Sequence, residues 1–193
     1  MRLLIACCLA LGLLLSGCDK PPAFKSTDIS GVDWGKDFAL TDHAGQARRL
    51  ADYKGKVVVL FFGYTQCPDV CPTTLVTMNE TLKLLGDDAK RVQVLFATLD
   101  PARDTQALLA QYVPQFNPGF VGLYGDEATT AALAREFRAF YTKVPGATPT
   151  TYTIDHSTGS YAFDPQGRLR LLLKHGDDPA NLAADLKLLL AGK

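Results

Sequence analysis

Two cysteines, Cys67 and Cys71, stand in the stretch GYTQCPDVCPTT (63–74), directly after the apolar run KVVVLFF. Each is followed by proline. In helical geometry residues i and i+4 have Cα atoms about 6 Å apart, which suits a disulfide or two ligands of one ion. Pro72 lacks an N–H and favours the first helical position, so Cys71 is expected near an N-cap. Unpaired amides there favour anionic sulfur and lower a thiol's pKa, which serves a nucleophile and a metal-bound thiolate alike. Dithiol oxidoreductases normally place two residues between their cysteines, and this loop has three. Two soft thiolates favour Cu(I), although zinc also accepts them.

The other cysteines narrow the choice. The opening MRLLIACCLALGLLLSGC carries one arginine and then an uncharged apolar stretch from Leu3 to Leu15. As a helix that stretch spans roughly 20 Å, short of the roughly 30 Å hydrocarbon core. It reads as a secretory signal peptide, residues 1–17. LSGC resembles the bacterial lipobox, which implies that Cys18 is lipid-modified and becomes the new N-terminus. Asp19 behind it implies retention at the inner (cytoplasmic) membrane, with the domain facing the periplasm. Cys7 and Cys8 then leave with the signal, and Cys67 and Cys71 remain as the thiols. Exported proteins usually spend cysteines on structural disulfides, but this bridge closes a tiny loop and stabilises little. Chemistry is the stronger reading.

A third donor would favour a metal site. Of the three histidines, His43 lies in a turn between early strands and His175 between a hairpin and the last helix. Both read as ordinary surface residues. His156, in TYTIDHSTGSYAF, enters the strand that follows the third predicted helix and is the functional candidate.

The elements that must position these residues alternate along the chain. FALTD (38–42) and VVVLFFGY (57–64) read as strands, the second buried on both faces. TTLVTMNETLKLLG (73–86) reads as a helix with Leu75, Met78, Leu82 and Leu85 on one side. A strand (91–100), a helix capped by Asp104 or Thr105 (104–113), a short strand (119–125) and a helix (127–141) follow. The hairpin YAFDPQGRLRLLLK (161–174) turns at Pro165 and Gly167, and a helix opened by Pro179 (178–190) closes the chain. This alternation predicts an α/β layered domain over residues 35–193 with a mixed central sheet flanked by helices. Residues 18–34, with Pro21 and Pro22, read as a flexible tether. The 193 residues suit one domain, and 20 basic against 20 acidic side chains give no basic face for nucleic acid.

The frame FALTDHAGQARRLADYKGKVVVLFFGYTQCPDVCPTTL, then TLDPARDT, then YTIDHSTGSYAFDPQGRL, resembles the Sco (SenC) family of copper-binding, thioredoxin-like proteins. The likeness covers roughly residues 31–190; only the segment around STGSY is less apolar than usual. It implies a thioredoxin-like fold with an N-terminal strand extension, and copper held by Cys67, Cys71 and His156. Asp100 of the DPARDT segment would stand behind the site or serve an oxidised state; a turn carboxylate is the alternative. Asp69 and Asp155 would tune charge or simply face solvent, while Tyr64 and Phe62 pack the core. The implied activity is a membrane-tethered copper metallochaperone serving the binuclear copper centre of cytochrome c oxidase. Its partners would be that copper-bearing subunit and a periplasmic copper donor or thiol reductant. The rival activity is a thiol–disulfide oxidoreductase that uses Cys67 and Cys71 to reduce the target's cysteines. A peroxidase-like activity has nothing beyond fold and thiol behind it.

Overall fold

The apolar run after Lys56 is the central strand of a sheet, and it ends where the cysteines begin. The structure, a computed structural model, describes residues 23–148 and 151–193. The expected signal peptide and the expected lipid attachment at Cys18 lie outside the described residues. In chain order the elements are β1 (Thr27–Asp28), β2 (Ala39–Asp42), β3 (Ala47–Arg49), β4 (Val57–Gly63), α1 (Val70–Leu85), β5 (Val92–Thr98) and α2 (Gln106–Tyr112). They continue as β6 (Val121–Tyr124), α3 (Glu127–Glu136), β7 (Tyr141–Pro145), β8 (Tyr152–His156), β9 (Ser160–Phe163), β10 (Leu169–Leu173) and α4 (Pro179–Leu190).

Eight strands form one mixed sheet in the order β1-β10-β9-β4-β5-β6-β2-β3. β4, β5 and β6 run parallel, while β9 and β2 join them antiparallel. β7 and β8 make a separate hairpin. Every residue of β4 is buried, because its alternate side chains enter two different cores. Val57, Val59 and Phe61 pack with Leu75 and Met78 of α1 and with Leu182 and Leu186 of α4. Val58, Leu60 and Phe62 pack on the opposite face with Leu133, Phe137 and Tyr161. Burying each such side chain contributes about 1.5–3 kcal/mol, so the sheet end carrying the cysteines is held from both sides. The expected mixed α/β, thioredoxin-like layout is present, with β2 and β3 as strands added ahead of β4.

Three boundaries differ from the sequence reading. The cysteine helix starts at Val70 after the N-cap Asp69, three residues before Thr73. Pro72 is tolerated there because the first turn's amides have no intrahelical acceptor. The helix expected over 127–141 stops at Glu136. Phe137 sinks between Phe62 and Tyr161, with ring centroids 5.5 and 5.3 Å away, and Arg138 adopts a φ of +50° that turns the chain into β7. The segment expected as a tether is fastened from Lys25 onward. The Lys25 and Ser26 amides donate to the buried Asp185 carboxylate at 2.9 and 2.7 Å, and β1 pairs with β10. A two-residue strand has no readable period, so sequence pattern could not show it. Among the described residues no helix is long and apolar enough to cross a membrane.

Candidate metal centre

β4 ends at Gly63, the chain loops through residues 64–69, and α1 lifts Cys71 in its first turn. β8 brings His156 from 85 residues away, its Nε2 3.6 Å from Cys71 Sγ. Strand alternation puts Tyr152, Ile154 and His156 on one face, and the Ile154 amide donates to the Tyr64 hydroxyl at 3.2 Å. The His156 Nδ1 lies 2.8 Å from the Ser157 carbonyl, which can only accept. Nδ1 therefore carries the ring proton, and the Nε2 lone pair faces the sulfurs. One ligand atom each from Cys67, Cys71 and His156 lie within 4.8 Å of one another. Bonds of about 2.0–2.3 Å put the ligands of one ion roughly 3.5–4.5 Å apart, so this donor set fits a single metal with small adjustment.

The two thiols are unbridged and unequal. Cys71 is fully buried, and that burial pushes its pKa far up, only partly opposed by a backbone hydrogen bond from Tyr64. The sequence argument anticipated a lowered thiol here. Desolvation outweighs the helix end, whose nearest free amide, that of Cys71, donates instead to Cys67 Sγ at 3.4 Å. Cys67 is half-buried and lines an open cleft with Tyr64, Pro68, Asp155 and His156. Burial lowers the His156 pKa against the opposing Ser157 bond and Asp155 charge, keeping the imidazole neutral and able to ligate. Gly63 makes room for the site: a Cβ there would stand 2.9 Å from Cys71 Sγ and 2.8 Å from the Phe96 ring.

Asp100 is wholly buried and stands behind the site, not among the three donors. Its carboxylate pairs with Arg103 and accepts the Tyr152 hydroxyl at 2.6 Å. Asp104 does not cap α2; Thr105 does, accepting from the Leu108 amide. Asp104 turns inward instead and accepts from the Thr65 amide and hydroxyl and from the Thr98 hydroxyl, at 3.0, 2.6 and 2.5 Å. It thereby ties the cysteine loop to the end of β5. Asp69 and Asp155 are exposed, and Asp69 accepts the Thr73 hydroxyl. His43 accepts the Gly122 amide at 2.9 Å and joins a turn to β6. His175 is exposed and meets Thr74 at 3.2 Å. Tyr64 and Phe62 are buried as expected, and the Tyr64 ring stands edge-on to His156 at 6.0 Å. Sequence reasoning passed over Gly63 and Arg103. Their signal was present only as neighbours of the cysteine strand and of Asp100.

Comparison with known proteins agrees with this geometry. A family model described as SCO1/SenC matches residues 26–191. The mitochondrial SCO2 homologue of Bos taurus is 40% identical over 133 residues, 68% of this chain and 50% of that protein. The chain thus spans about half the length of that relative. Among solved structures, Bradyrhizobium japonicum ScoI with copper bound superposes with a TM-score of 0.73 at 40% identity, covering 79% of this chain and 97% of that one. Yeast Sco1 with copper bound gives a TM-score of 0.74 at 27% identity, covering 89% and 91%.

Proposed function

The chain belongs to the SCO1/SenC family, and on that premise we propose that it is a copper metallochaperone whose cargo is held by Cys67, Cys71 and His156. One observation carries the reading: two sulfurs and an unprotonated imidazole nitrogen lie within 4.8 Å of one another. This soft donor set favours Cu(I). Loading displaces the thiol protons, so copper competes with protons for both sulfurs. Cys67 and His156 face the cleft, so a partner's ligand enters from their side. The recipient we assign is the binuclear copper centre of cytochrome c oxidase, supported by the resemblance of the motif series. A periplasmic copper donor or thiol reductant would load or reset the site. A signal peptide over 1–17 and a lipid on Cys18 would hold the domain at the periplasmic side of the inner membrane.

The exposure difference between the thiols supports a second reading, disulfide exchange. The Cys67 thiolate would attack a target disulfide, releasing one target thiolate. Cys71 would then displace the second, leaving Cys67 and Cys71 oxidised and the target reduced by two electrons. The His156 nitrogen beside the two sulfurs, which disulfide exchange does not require, ranks copper carriage first. The test is anaerobic Cu(I) titration of the reduced domain against a competing chelator. One equivalent bound is expected, weakened in His156→Ala although Cys67 and Cys71 still form a disulfide. Protein that binds no copper yet reduces disulfides catalytically would overturn the chaperone reading. The mass of the mature N-terminus tests acylation of Cys18.

A further inference from the structure

The hairpin that carries His156 stands outside the eight-stranded sheet, so among the described residues no ladder of that sheet fixes the imidazole. The Ile154 amide's bond to the Tyr64 hydroxyl is one link from the hairpin to the cysteine loop. Arg103 lies between the two parts. Its Nε pairs with the Asp100 carboxylate, and its Nη1 donates both to Gln66 Oε1 at 3.0 Å and to the Tyr152 carbonyl at 2.9 Å. Gln66 immediately precedes Cys67, and Tyr152 opens the strand that ends at His156. The guanidinium also stacks on the Tyr152 ring at 3.5 Å, while the Tyr152 hydroxyl returns to Asp100. One planar cation thus grips the cysteine loop, the base of the hairpin and a buried carboxylate at the end of β5.

We propose that Arg103 is the positioning residue of the metal centre, clasping hairpin β7–β8 to the cysteine loop so that His156 completes the donor set. The inference rests on the copper reading above. Without the clasp, the two sulfurs stay together on their loop and helix, while the imidazole drifts with its hairpin. The site then falls from three donors toward two. Lysine cannot substitute, because a point charge has neither the fork that holds Asp100 through Nε while Nη1 reaches Gln66 and Tyr152, nor the flat face that stacks on the Tyr152 ring.

The test is a double-substitution cycle on the full mature protein. Cu(I) affinity is measured by chelator competition for Arg103→Ala and Arg103→Lys, each with His156 intact and in the His156→Ala background. With His156 intact, Arg103→Ala should weaken binding about 10- to 100-fold, the range typical for residues that orient a ligand. In the His156→Ala background the same change should cost less than about twofold, because the ligand it positions is gone. Arg103→Lys should not rescue. Hydrogen exchange of the metal-free protein gives a readout independent of copper: β8 amides should exchange faster in Arg103→Ala, with β9 and β10 unchanged. Equal losses of affinity in both backgrounds, or undisturbed β8 exchange, would overturn the proposal. Should Arg103→Ala fail to fold, Gln66→Ala removes one arm at an exposed position, and its smaller loss should vanish with His156 in the same way. If the wild type binds no copper, the functional reading fails by itself, and hairpin exchange still decides whether the clasp exists.

Discussion

Asp42 and Asp164 each close a hairpin turn on themselves, whereas Asp100 and Asp104, at the cysteine end of the sheet, bind across the chain. Asp42 accepts the Ala44 and Gln46 amides and Arg48 Nε, at 2.9, 2.8 and 2.7 Å. Asp164 repeats the device with the Gln166 and Arg168 amides and Arg168 Nε, at 3.0, 3.0 and 2.7 Å. The segments DHAGQAR and DPQGRLR share the aspartate, a glycine three residues on with φ near +80°, and an arginine six residues on. Asp100 instead takes a hydroxyl from 52 residues away, and Asp104 takes bonds from 39 residues away. The electrostatics part in the same way. Burial raises the pKa of Asp42, but the Gln46 and Ala44 amides and Arg48 more than offset it and leave the carboxyl below its usual range. Burial wins at Asp104, whose pKa is raised despite the Thr65 and Thr98 bonds. The Asp42 turn stabilises its own charge. Asp104, which ties the cysteine loop to β5, keeps part of the desolvation cost.

The largest expected effect separates the metal centre from the self-closed turns by function. Cys71→Ser should weaken Cu(I) binding more than about 100-fold, beyond what loss of an orienting residue usually costs. Asp42→Asn should leave affinity within about twofold in the same chelator competition, since nothing in its turn reaches the donors. The next effect is on stability, with opposite signs in pH. Asp42→Asn should cost about 1–3 kcal/mol near neutral pH, because the Ala44 and Gln46 amides and Arg48 lose a charged acceptor. A depressed carboxyl contributes stability above its unfolded pKa of about 3.9, so that cost should shrink as pH falls through the lower folded value. Asp104 carries the reverse sign. Its raised pKa gives stability that is full below about 3.9 and lost as pH rises through the folded value. Asp104→Asn should therefore gain on the wild type as pH rises. Urea melts at a series of pH values read both slopes, and slopes of one sign would erase the contrast. The smallest effect belongs to Arg168→Ala. That side chain is 63% exposed, so the loss should stay under about 1 kcal/mol in the same melts, with copper affinity unchanged.

The same contrast explains how much could be read from sequence. The β9–β10 turn was legible because Asp164, Pro165 and Gly167 act within a few residues of one another. β4 was legible because an unbroken apolar run allows few alternatives. Cys67, Cys71 and His156 were found through residue type, spacing and family likeness, and the fold brings all three together. The β7–β8 hairpin was missed because EATTAALAREFRAFY continues a helical pattern past Glu136, and only the packing of Phe137 on the opposite core stops it. The cap was legible only as Asp104 or Thr105, because a capping pattern is local, while the partners that draw Asp104 inward, Thr65 and Thr98, are brought near by the parallel pairing of β4 with β5. Burial of Cys71 escaped for the same reason: spacing shows a helix start but not what covers it.

The amide of Cys71 that points at Cys67 would have an electrical consequence for copper held at the proposed site. Two thiolates around Cu(I) carry one surplus negative charge, and around Cu(II) none. The start of α1 presents the positive end of a peptide dipole array, worth roughly half an elementary charge, to that surplus. It therefore stabilises the electron-rich form more than the oxidised one and biases the loaded site toward holding its electron. The reduction potential of the loaded protein measures the bias, and a value below that of a free dithiolate copper complex would contradict it.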